Sequence, residues 1–157
     1  MKKDFNPIES VQEFHETFDH PVLPSPQIPS SERCNLRVNL LQEELDELKE
    51  AIANQDLVGI ADALCDLQYV LSGAVLEFGL GQKFPVLFNE VQRSNLSKTC
   101  ETLEIAIKTQ QFYKDNHQVD SYYIEKNGKW LVYRTEDNKT LKSVEYSKAD
   151  LSGILNS

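Results

Sequence analysis

Residues 32–55, ERCNLRVNLLQEELDELKEAIANQ, place Leu41, Leu45, Leu48 and Ile52 on one side of a wheel that advances about 100° per residue, and this run decides the fold. Ser30 or Ser31 is a suitable N-cap, and Asn54 to Asp56 end the helix. The run that follows, LVGIADALCDLQYVLSGAVLEF at 57–78, brings Ile60, Leu64, Leu67, Leu71, Ala74 and Phe78 into helical register. This second helix is apolar nearly all round, which predicts that it is buried. Two long helices joined by so short a turn run antiparallel, and they form the centre of a bundle.

Before them, residues 6–18 put Val11, Phe14 and Phe18 at helical spacing after Pro7, a favoured first-turn residue. The connecting HPVLPSPQIPS holds four of the six prolines and reads as an extended segment packed on the domain. GLGQ at 79–82 turns the chain, Phe84 to Ser94 form a third core helix with Leu87 and Val91, and a further helix covers about 99–113 with Leu103, Ile107 and Gln110 on one side. Beyond Asp115, SYYIE, KWLVYRT and TLKSVEY are short aromatic and β-branched runs separated by Asn127-Gly128 and Asp137-Asn138, which are hairpin signals. The expected architecture is all-α: a four-to-five-helix bundle over 1–115, with a small β-rich C-terminal appendage of two or three strands over 116–157 in the same domain.

A chain of 157 residues with 40% hydrophobic content buries enough surface for one domain without a disulfide or structural zinc. Cys34, Cys65 and Cys100 are odd in number and far apart, so they read as reduced thiols acting as small core residues. The start MKKDFNPIES has acids where a secretory signal needs an apolar run, and acids interrupt the longest apolar stretches. The expectation is a cytoplasmic protein with no membrane partner. A net charge of −9 argues against binding a nucleic-acid backbone, which needs clustered Lys and Arg. It still permits a polyphosphate ligand if a metal ion supplies the positive charge.

The acids are grouped. Glu44 and Glu47 lie on one shoulder of the first long helix with Glu43 further round, while Asp66, preceded one turn earlier by Asp62, lies on the matching shoulder of the second. EELDELKE alone is also what an ordinary solvated helix face looks like. Asp62 and Asp66, however, stand on a helix of Ile, Ala, Leu, Cys, Tyr and Val, and a carboxylate buried there without a partner costs several kcal/mol. A hard cation held by carboxylates from both helices resolves that cost, and Mg²⁺ suits an all-oxygen set better than zinc. Downstream, EVQRSNLSK brings Arg93, Asn95 and Lys98 to the end of the third helix; such cations suit phosphate but are also ordinary helix-dipole partners. Metal-binding acids followed by phosphate-binding cations is the pairing that nucleotide hydrolysis requires. His15, His20 and His117 stand singly and read as surface or packing residues; Ser72 and Gly73 read as permitting close helix approach.

Glu43-Glu44-Leu45-Asp46-Glu47, IADALCDLQYVLSGAVLEFG and EVQRSNLSK together resemble the MazG-like family, in the branch that looks like phosphoribosyl-ATP pyrophosphohydrolase, over roughly residues 8–100; KTLKSVEYSKADLSGIL resembles that branch's ending. The resemblance implies an all-α nucleoside triphosphate pyrophosphatase fold, assembly into homodimers or homotetramers, and Mg²⁺-dependent cleavage of a nucleotide at the α-phosphate to monophosphate and pyrophosphate, with one or two Mg²⁺ ions and Mn²⁺ as a substitute. Carried over by position, Glu44, Glu47 and Asp66 are metal ligands and Glu43 is a ligand or a water-orienting base. The family's ExxD half is broken: Ala63 stands at the Glu position, and Asp62 is the stand-in. Lys98 and Arg93 would face the leaving pyrophosphate, Asn95 a phosphate, sugar or base edge, and Tyr69 the base. Two rival readings remain open at this point: hydrolysis of phosphoribosyl-ATP in histidine synthesis, and a non-catalytic helical oligomerisation module.

Overall fold

In the computed structural model, which describes residues 6–156, helices begin where a side-chain acceptor meets an otherwise unbonded N–H. Asn6 accepts from Glu9 N at the start of α1 (Pro7–Thr17), Ser30 from Arg33 N at α2 (Ser31–Ala53), Asp56 from Val58 N at α3 (Leu57–Glu77), and Thr102 from Ile105 N at α5 (Leu103–His117). α4 is Phe84–Leu96, the hairpin is β1 (Ser121–Lys126) and β2 (Lys129–Arg134), and a short α6 (Leu151–Asn156) ends the chain. The chain is thus mostly helical with a small antiparallel hairpin, as the sequence predicts. Residues 1–5, part of the stretch read as lacking a signal sequence, lie outside the described residues. The chain divides into two compact units, Met1–Phe84 and Pro85–Ser157.

In the first unit α3 packs on both α1 and α2. The proline-rich segment is extended and bonded to the end of α3, with Leu23 N donating to Leu76 O (3.1 Å) and Gln27 N to Phe78 O (3.1 Å). Gly79 permits this crossing: its φ is +67°, and a Cβ there would sit 1.9 Å from Ser25 O. α3 itself departs from the expectation of all-round burial. Ser72, Gly73, Val75, Leu76 and Glu77 are buried, but Leu57, Val58 and Leu64 are 77%, 80% and 52% exposed. The buried line runs through Ala63, Gly73 and Glu77 rather than through the Leu64–Leu71 stripe, because the α2-facing side is built from small residues and an ion-paired glutamate. By length and composition α3 would suffice to span a bilayer, but it carries Asp62, Asp66 and Glu77 and serves here as the helix on which α1 and α2 pack.

In the second unit Cys100, Ala106, Val132 and Leu141 form the core, closed by Ile105, Tyr113, Val119, Tyr123 and Trp130. The hairpin turns at Asn127-Gly128, both with positive φ (53° and 73°), as a two-residue turn requires. Two details differ from the sequence reading. α5 begins at Leu103 instead of about 99, because Cys100 pairs both its N–H and its C=O with Trp130 (2.8 Å each). TLKSVEY adds only an isolated bridge, Thr140 to Tyr133, because side chains of α5 capture the backbone beyond it: Tyr113 OH accepts from Lys142 N and Thr109 Oγ1 from Val144 N (both 3.1 Å). Of the three cysteines, Cys100 is buried and Cys34 half-buried, whereas Cys65 is exposed and is not a core residue.

Candidate active site

The rotation of α2 decides where its acids point. Arg37 is buried and Leu41, Glu44 and Leu48 are half-buried on the same helical line, while Leu45 and Ile52 sit at its exposed edge. Glu44 therefore lies toward α3, and Glu43 and Glu47 lie further round and exposed. On α3, Asp66 falls between Ala63 and Gly73 on the buried side and is half-buried; Asp62 is exposed. The electrostatics record the meeting of the two helices. The Glu44 carboxyl is raised above its ordinary value by burial, and then by Glu47, Asp66, Glu43 and Asp62, all in the same direction.

Among the described residues, none of these five carboxylates is engaged in a hydrogen bond or ion pair, and no three His, Cys, Asp or Glu side chains converge closely enough to enclose a metal ion. The group is thus an open cluster of like charges whose donors are all oxygen. By charge and donor type it fits a hard divalent cation. Ala63, at the position where the family pattern has Glu, is 2% exposed and leaves no room at the helix contact for a longer acidic side chain without rearrangement.

About three turns further along α3 and two turns back along α2, the same pair of helices treats a carboxylate differently. Glu77, 1% exposed, is bound by Arg37 and Arg33, with Arg33 Nε at 3.1 Å. Burial pushes the Glu77 carboxyl up, but the two guanidiniums outweigh it and hold the group below its usual value. His15 completes the network. Its Nδ1 lies 2.9 Å from Pro21 O, which can only accept, so Nδ1 carries the proton and Nε2 accepts from Arg37 (3.4 Å). A Cβ on Gly73 would meet Arg37 Nη1 at 2.7 Å, so the glycine lets α3 approach this network, in line with the sequence reading. The network itself was not anticipated from sequence. Its signal was Arg37 in line with Leu41, and a glutamate inside SGAVLEF.

Tyr69 sits beside α1, edge-on to Phe14 (5.6 Å between centroids), and lines an apolar groove of about 370 Å³ with Pro7, Ser10, Val11, Leu64, Cys65 and Gln68. The remaining candidates belong to the second unit. Arg93 is bound two-pronged to Glu90 (2.8 Å each) and donates to Lys148 O (3.1 Å); Lys98 Nζ donates to Asn95 Oδ1 (2.8 Å). The Arg93 guanidinium and an Asp150 N–H hold the Glu90 carboxyl down at about 2.

Residues 11–95 match the family profile of phosphoribosyl-ATP pyrophosphohydrolase. The matched segment contains the five acids, Tyr69, Arg93 and Asn95, and stops short of Lys98. Comparison with curated proteins yields no match.

Proposed function

The chain belongs to the phosphoribosyl-ATP pyrophosphohydrolase family, with more than half of its length matched, and is a hydrolase of phosphoric anhydride bonds acting on a nucleotide; within that family we propose that it is a Mg²⁺-dependent nucleoside triphosphate pyrophosphohydrolase. It cleaves the bond between the α- and β-phosphates, releasing nucleoside monophosphate and pyrophosphate. The observation that carries this reading is Glu44 turned toward Asp66 where α2 meets α3, its carboxyl raised by burial and then by Glu47, Asp66, Glu43 and Asp62.

In this reading Glu44, Glu47, Asp66 and Asp62 would hold one or two Mg²⁺ ions, which would supply positive charge for the phosphate oxygens and Lewis acidity. Glu43 orients the attacking water and takes up its proton as the water oxygen bonds to the α-phosphorus and the bond to the leaving pyrophosphate breaks. Lys98 meets the leaving charge; Arg93 joins only by exchanging Glu90 for phosphate. Asn95 contacts a phosphate, sugar or base edge, and Tyr69 gives the base an aromatic edge beside the apolar groove. The exposed Leu57, Val58 and Leu64 support assembly into a homodimer or homotetramer, and the acid-bearing, reduced-thiol chain suits a cytoplasmic enzyme.

The test is pyrophosphate release from a panel of ordinary and modified nucleoside triphosphates and phosphoribosyl-ATP, with Mg²⁺ and with Mn²⁺. Release should require the metal and should fall at least about a hundredfold in Asp66→Asn, which keeps shape and removes charge. Absence of release from every triphosphate, or hydrolysis confined to phosphoribosyl-ATP, overturns the reading. Undiminished turnover in Asp66→Asn removes that residue from the site.

A further inference from the structure

The hairpin of the C-terminal unit has two outer edges, and the chain treats them differently. With Asn127-Gly128 as a two-residue turn, Lys126 and Lys129 exchange ladder bonds, so Ile124, Tyr122 and Asp120 turn their backbone toward β2 while Ser121, Tyr123 and Glu125 turn theirs away. The same alternation sends the backbone of Trp130, Val132 and Arg134 outward on β2. That edge is sealed from within. Trp130 exchanges both bonds with Cys100 (2.8 Å each), Val132 O accepts from Leu141 N (2.8 Å), and Arg134 N donates to Lys139 O (2.9 Å).

On β1 the Gln110 side chain of α5 donates to Ser121 O and closes one end, and the positive φ of Asn127 turns the chain away at the other. Between them, among the described residues, nothing bonds the outward N–H and C=O of Tyr123 and Glu125. An edge of this kind is a template for another strand. It also carries apolar surface: Tyr122 and Ile124, on the face turned away from the unit's core, are 39% and 43% exposed. The strand SYYIEK has one acid and one base and is neutral within a chain of net charge −9, so charge does not oppose the meeting of two copies at this place.

The open stretch is its own complement. A two-fold axis through Ile124 sets Tyr123 of one copy opposite Glu125 of the other on both sides of the axis, so every outward N–H of these residues meets a C=O and none is left over. Ile124 then packs on its counterpart, and Lys126 lies across from the Tyr122 ring with Asp120 the next residue on that face. We propose that β1 is a self-pairing edge, through which two copies of the chain join antiparallel and two hairpins become one four-stranded sheet. This contact stands apart from the proposed reaction and from the helix faces offered above for assembly.

The test is a symmetric cross-link in the full chain, with the exposed Cys65 replaced by Ser. At the axis the two Ile124 Cα atoms stand about 4.5 Å apart, in a pair without ladder bonds and within reach of a disulfide, so Ile124→Cys should oxidise to a covalent dimer under mild oxidant. Lys126→Cys, on the same face, is about 14 Å from its counterpart and should not. In sedimentation equilibrium at about 0.2 mM, a concentration suited to so short a contact, Ile124→Lys and Glu125→Pro should each halve the particle mass of wild type, whatever the helices contribute. Glu125→Pro removes an N–H that β2 does not use, as prolines on sheet edges do. Melts followed by circular dichroism verify folding, and Ile124→Lys keeps the test sound if the proline loosens the hairpin. Equal mass for wild type and Ile124→Lys, or an Ile124→Cys chain that cross-links no faster than Lys126→Cys, overturns the proposal.

Discussion

Replacing Glu77 by Gln should destabilise the chain more than any other single charge removal described here. Glu77 is 1% exposed and Arg37 7%, and Arg37 reaches no carboxylate but Glu77 among the described residues. Gln keeps the shape and withdraws the charge. Arg33 is partly exposed and can turn to water, but Arg37, wedged between Gly73 and His15, cannot. The cost is that of a buried cation left alone, about 3–5 kcal/mol. At roughly 2–4 °C per kcal/mol for a chain of this size, about 4 kcal/mol lowers Tm by about 8–16 °C. Thermal and urea melts followed by circular dichroism measure it, with Glu104→Gln as control, because the Glu104–Lys108 pair lies in solvent and its loss should leave Tm unmoved. Removing both charges, as in Glu77→Leu with Arg37→Met, should recover most of the loss, since no charge is then stranded. If Glu77→Gln melts within about 2 °C of wild type, the network is solvated and the reasoning fails.

Gly79→Ala drives a Cβ into the Ser25 carbonyl and should cost at least about 3 kcal/mol, while Gly128→Ala, with similar φ and open space, should cost only about 1 kcal/mol; paired melts check the contrast. His15 is held below 6.5, first by burial and then by Arg37 against the opposing Pro21 bond, so the unfolded chain takes up a proton that the folded one refuses. Stability is therefore full above pH 6.5 and falls as pH drops through it, and His15→Gln should flatten that slope in melts between pH 7.5 and 5.5. Glu43→Gln should lower kcat with little change in KM, whereas Lys98→Ala should raise KM as well, in steady-state assays of pyrophosphate release.

The Ser30 cap, the Asn127-Gly128 turn and the order of the helices are local signals, and each was legible in the sequence. What was not legible is rotation about the helix axis. A wheel read by hydropathy puts Leu64 and Leu71 at the core of α3, but in the single chain Gly73 and Glu77 meet Arg37 of α2, because a guanidinium needs a small neighbour and a counter-charge. The same rotation carries Glu44 and Asp66 from helix shoulders toward each other. The acidic residue types, their order and their placement on matching shoulders of two antiparallel helices were therefore readable; which of them are half-buried, Glu44 and Asp66, and which stay exposed was not. The fastening of the tail to the end of α4 was missed for a different reason: it runs through serine hydroxyls bonded to backbone, which leave no periodic pattern.

Glu44 and Glu77 lie on one helix pair and differ in what surrounds them, so neutralising each should move stability in opposite directions. Glu77 sits against two guanidiniums, and its charge is part of the fold. Glu44 feels burial and four like charges, so its ionised form is a burden on the metal-free chain. Glu44→Gln should then raise metal-free stability by about 0.5–1 kcal/mol, the scale of removing like-charge neighbours on helices, or about 1–4 °C in Tm. If the acids hold Mg²⁺ as proposed, the ion stabilises wild type in proportion to its binding, and Glu44→Gln should gain less from the same concentration. The order of melting temperatures should therefore reverse between EDTA and millimolar Mg²⁺. A Glu44→Gln protein that is less stable than wild type in EDTA would mean the carboxylate has a partner in the fold, and the acids between α2 and α3 would lose their claim to a cation.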